Sequence, residues 1–188
     1  MKNWISYPFE AEKAANTVLW LLHQHGGRLS VLKLVKLIFF ADRLHLIRYG
    51  RPIFGGRYSA LPHGPVPSEL YETMSKAGDA TKDYRRVGYD LEALNSYNEE
   101  YLAESDLEVL SEINKALGSK DKWALRDLSH ELKPWKNNFK ADGEDPRESF
   151  AIPYEDFFAD FPPEKMQMLE IMKEDEAARA SIRDDQIS

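Results

Sequence analysis

Residues 29–50, LSVLKLVKLIFFADRLHLIRYG, run directly into GRPIFGGRYSALPHGPVPSELYE, residues 50–72. The two halves obey different rules. In the first, apolar residues recur nearly all round a 3.6-residue turn: Val31, Leu32, Leu34, Val35, Leu37, Ile38, Phe39, Leu44 and Ile47. A helix of that kind belongs at the centre of its domain. Ser30 is a suitable N-cap and Gly50 a stop. The second half holds Gly50, Gly55, Gly56 and Gly64 with Pro52, Pro62, Pro65 and Pro67, dense punctuation for a helical chain. A shorter helix is predicted to start near Pro67, with Leu70, Tyr71 and Met74 on one side.

Outward from this stretch the pattern stays helical. Helices are predicted over 7–27, with Pro8 in the first turn and Gly26 and Gly27 as stop, and over 103–118, where Ser105 and Glu108 have capping-box spacing. A further helix over 120–135 should be closed by Pro134. Residues 83–95, DYRRVGYDLEALN, alternate weakly about a glycine and suggest a short hairpin or irregular ribbon. The expected fold is mainly α (α+β): one domain over 1–160, with a short β-hairpin or irregular Gly/Pro-rich segment between helices. A short aromatic helix is expected after Ile152. An acidic C-terminal helix and tail, partly flexible, should occupy 161–188.

The 188 residues suffice for one ordinary core, at 43% hydrophobic and 12% aromatic. No run approaches the roughly 18 apolar residues of a membrane span, and the N-terminus lacks a signal-peptide pattern. With no cysteine, disulfides and thiolate metal sites are excluded, and a cytoplasmic location with no membrane partner is expected. The net charge of -7 argues against a general nucleic-acid-coating protein. Charge is unevenly spread, however: residues 28–58 carry seven basic residues against Asp42 alone, while acids dominate after Lys140. Lys33, Lys36 and Arg43 form the charged stripe expected to face outward from the central helix.

The chemistry-bearing patterns are thin. The glycines match neither GxxxxGK[ST] nor GxGxxG, so no phosphate cradle is expected. Ser59, His63 and Asp42 could be assembled as nucleophile, base and orienting group of a hydrolase, yet no GxSxG elbow surrounds Ser59. His63 reads more simply as a wedge fixing a turn. His23, His25, His45, His63 and His130 offer no three-ligand metal spacing, and no cofactor is implied. Phe54 and Tyr58 flank Arg57 as a conceivable stacking platform, and a DNA-binding autoregulator is a minority reading.

The motif "KLVKLIFFADRLHL" followed by "GRPIFGGRYSALPHGPVPSELYE" resembles the signature of the SocA-like antitoxin family, also called the Panacea domain. Lys33, Leu34, Lys36, Leu37, Phe39, Phe40 and Ala41 match its helix, and Gly50 and Pro52 its turn. Tyr58 and Ala60 follow, then Gly64, Pro65, Val66, Leu70 and Tyr71. The later LSHELKPW matches an S-H-x-x-x-P-W element through Ser129, His130, Pro134 and Trp135. Leu61-Pro62 departs from the pattern, which often has a tryptophan or similar bulky residue there.

The resemblance implies a mostly helical, often phage-associated, non-catalytic antitoxin that neutralises a cognate protein toxin by direct contact. Some members serve as adaptors delivering the toxin to a protease. On this reading Lys33, Lys36, Arg43, Phe54, Arg57, Tyr58 and His63 are candidates for toxin contact. The signature residues, Leu34, Leu37 and Trp135 among them, serve mainly as architecture.

Overall fold

Seen in a computed structural model that describes residues 5–76, 81–140, 149–162 and 170–174, the central helix lies where its composition demands. It is α2 (Val31–Tyr49), and thirteen of its nineteen residues are buried. Ser30 caps it by accepting the Lys33 N–H at 3.3 Å. Gly50 ends it at φ 70°, donating its N–H to Leu46 O; only glycine adopts that angle without strain. Around it pack α1 (Ala11–Gln24), α3 (Ser68–Lys76), α4 (Glu104–Leu117), α5 (Lys122–His130) and α6 (Lys133–Lys136).

Two three-stranded antiparallel sheets complete an α+β fold. One has the order β1 (Arg28–Ser30), β5 (Asp90–Ala93), β4 (Tyr84–Val87), and its β4–β5 hairpin is the ribbon expected from residues 83–95. The other has the order β3 (Gly64–Pro67), β2 (Tyr58–Leu61), β6 (Phe150–Ile152). Strands β1 and β6 have three residues each, too short to show a period in the sequence. Two hydrophobic clusters form the core, and α2 feeds both. Leu34, Val35, Leu37, Ile38 and Ala41 join the cluster with α1, α4 and α5. Phe39, Leu46 and Ile47 join Tyr58, Ile152, Tyr154, Phe157 and Phe158. Each valine, leucine, isoleucine or phenylalanine among them contributes roughly 1.5–3 kcal/mol when fully buried.

Several helix boundaries differ from expectation. Pro8 precedes α1 rather than opening it. The α4 cap is one-sided: Asp106 Oδ2 accepts the Ala103 N–H at 2.8 Å, while Ser105 is drawn off to His45 and Arg51. Pro134 opens a helix instead of closing one. The chain turns after α5, and Pro134 sits in the first turn of α6, where its missing N–H costs nothing. The aromatic helix is a 3-10 turn, Tyr154–Phe158. Most of the expected C-terminal helix and tail lies outside the described residues, although residues 170–174 are helical and bury Met172.

Candidate functional site

The hairpin of β2 and β3 turns through Pro62 and His63, with Leu61 paired to Gly64. No non-glycine among the described residues has positive φ, so the left-handed angle that closes this hairpin falls on Gly64, at φ +98°. Gly64 is also required by space. A Cβ there would lie 2.6 Å from Ser129 Oγ on α5 and 2.8 Å from Lys36 Nζ on α2. Three elements therefore meet at one glycine.

Lys36 is fully buried at this joint and donates to Pro65 O at 2.7 Å. No carboxylate among the described residues pairs with it, and burial pushes its ammonium well below the usual lysine range. Beside it, Trp135 donates its indole N–H to Leu61 O at 2.9 Å and stacks on His130, centroids 3.8 Å apart and planes at 9°. His130 Nε2 is buried with no hydrogen-bond partner among the described residues. Burial, then the charges of Lys36 and Arg126, hold this imidazole down to about 4. The signature segments that lie far apart in sequence thus converge on one clamp. It fixes the hairpin tip against α5.

The expected outward stripe does not exist. Lys36 is 0% and Arg43 9% exposed, because a helix surrounded by apolar partners has no wet face to offer. Arg43 instead donates to Phe157 O at 3.0 Å and to Asp160 Oδ2 at 2.9 Å, with its guanidinium 4.5 Å from the Phe161 centroid. Lys33 is half-buried and donates to Gly118 O at 2.6 Å, closing the end of α4. Phe54 is wholly inside the first cluster against Phe9. Tyr58 is inside the second, its hydroxyl donating to Asp42 Oδ2 at 2.8 Å. The proposed stacking platform around Arg57 is therefore absent.

Of the seven contact candidates, Arg57 and His63 have exposed side chains. Arg57 is paired with Glu69 at 2.7 Å on the rim of an open groove of about 680 Å³. That groove lies between residues 5–9, the sheet of β2 and β6, and α3. His63 makes no hydrogen bond among the described residues; its ring meets Trp123 edge to face, 6.1 Å between centroids. The turn is fixed by Gly64 and Trp135, not by His63 acting as a wedge.

The hydrolase arrangement fails on geometry. Ser59 Oγ bonds Ser68 Oγ at 2.8 Å, Asp42 is buried against Ile53 N and Tyr58, and His63 faces Trp123. No hydrogen bond joins any two of the three. Burial raises Asp42 to about 6, against the pull of its two donors. No group of three or more metal-ligating side chains occurs among the described residues. None of their helices is long and apolar enough to cross a membrane. Trp123 was missed in the sequence, where it fell within the helix predicted over 120–135 and nothing singled it out.

The family model described as "Antitoxin SocA-like, Panacea domain" matches residues 34–136, more than half of the chain. The chain belongs to the SocA-like antitoxin family. No curated protein and no solved structure matches it. The Panacea span begins within α2 and ends with α6, so it contains the whole clamp. Residues 5–9 and β6, which line the groove, come from outside that span.

Proposed function

We propose that this protein is the neutralising half of a toxin–antitoxin pair and acts by stoichiometric contact with a protein toxin. The observation that carries the reading is membership of the SocA-like antitoxin family over residues 34–136. The fate of the chemistry-bearing residues supports it. Lys36, Asp42, Arg43 and Tyr58 are spent on internal bonds, which suits a scaffold that presents a surface. Arg57 and His63 are the contact candidates that remain exposed, and we retain them. A soluble cytoplasmic protein without cofactor fits this role. Co-expression with the product of the adjacent gene tests it: growth should be restored, and the two proteins should co-purify in a fixed ratio. Growth arrest without co-purification would sink the proposal. Rescue that survives removal of the host proteases separates neutralisation by contact from delivery to a protease.

A further inference from the structure

The N-terminal half of α5 carries a tryptophan that the core does not use. Trp123 is 47% exposed and belongs to neither hydrophobic cluster. It is nevertheless held in place from several sides. Asp121 caps the helix by accepting the Trp123 and Ala124 N–H groups at 2.8 and 3.0 Å. The Arg126 guanidinium lies 5.0 Å and the Lys122 ammonium 5.3 Å from its ring centroid. His63 reaches it from the hairpin tip, whose position relative to α5 is set by Gly64, Ser129, Lys36 and Trp135.

The surroundings are cationic in a chain of net charge -7. Residues 118–136 contain Lys120, Lys122, Arg126, Lys133 and Lys136 against Asp121, Asp127 and Glu131. All three acids are engaged locally: Asp121 in the cap, Asp127 with Arg126 at 2.6 Å and Glu131 with Lys136 at 2.7 Å. Five basic residues against three acidic ones leave the segment a surplus of two positive charges. A fixed, half-exposed indole flanked by a lysine and an arginine has the composition of an interface hot spot.

We propose that the Trp123 face, with Lys122, Arg126 and His63, is the toxin-binding surface, and that it receives an acidic patch of the toxin with an apolar element over the indole. This deepens the antitoxin reading and rests on it. Nucleic acid could meet the same cations, but its long, uniform charge would also face the rest of a chain of net charge -7, whereas a local acidic patch on a protein need face only this surface.

The test is calorimetric titration of the full chain with the purified product of the adjacent gene, at low and at physiological salt. Trp123→Ala should weaken binding by about 30-fold or more. Lys122→Glu should weaken it further at low salt than at high salt. Tyr89→Ala, which removes an aromatic 82% exposed on the β4–β5 turn, should leave it within twofold. Binding by the wild type that survives both Trp123→Ala and Lys122→Glu overturns this surface while leaving the antitoxin function intact. Absence of binding and of growth rescue by the wild type overturns both. If the two variants keep the toxin but lose a promoter DNA duplex, the face belongs to nucleic acid and the proposal falls.

Discussion

At Gly64 two constraints coincide, a backbone angle and a shortage of space. Gly64→Ala would place a Cβ at φ +98° against Ser129 and Lys36, and should cost about 2–4 kcal/mol in urea unfolding. If the variant is as stable as the wild type, the close approach of hairpin and α5 is wrong. His130 gives a pH signature. Its imidazole is held down to about 4 when folded, against about 6.5 when unfolded, so the unfolded chain binds more protons between those values. The stability that His130 contributes is thus full above about pH 6.5 and is lost as pH falls toward 4. Asp42, raised to about 6, acts with the opposite sign in the same window, so wild type must be compared with variant. His130→Phe keeps the stack on Trp135 and should flatten the decline between pH 6.5 and 4. Parallel stability curves for the two proteins would refute this account.

On the scale of elements, α2 organises the molecule through buried polar groups as well as apolar ones. Asp42 binds Ile53 N and Tyr58, His45 lies 3.0 Å from Asp106, and Lys13 meets the same carboxylate at 2.7 Å, tying α2, the Gly/Pro loop, α4 and α1 together. Burial would raise Asp106, but His45, Lys13 and the Ala103 N–H outweigh it and hold it at about 2. Arg43 does the same for the C-terminal turn. Arg43→Met should cost about 2–3 kcal/mol and expose Phe157, Phe158 and Phe161 to limited chymotrypsin digestion before global unfolding. Digestion only in step with global unfolding would count against it. The helices were legible because their 3.6-residue period is long and their caps are local. The direction of Lys36 and Arg43 was not, since an all-round apolar helix leaves its charges to be answered by partners more than 25 residues away. Pro134 misled because a proline one residue past a helix and one inside the next look alike in sequence.

Across the whole molecule, the signature was readable but its job was not. Lys36, Gly64, Ser129 and Trp135 matched a family pattern in three separate segments, and only the fold shows that they form one clamp. Trp123 lay outside the pattern, so nothing local marked it as exposed. The family span and the folded unit also differ in extent. Strand β6 pairs with β2 across some ninety intervening residues, and Tyr154, Phe157 and Phe158 close the second cluster from beyond residue 136. That arrangement sets an order of events on the ribosome. A nascent chain reaches the end of α6 with Phe39, Tyr58 and Ala60 still bare on one side, and only the next two dozen or so residues cover them. The family span by itself therefore lacks one strand of its second sheet and one wall of its second cluster.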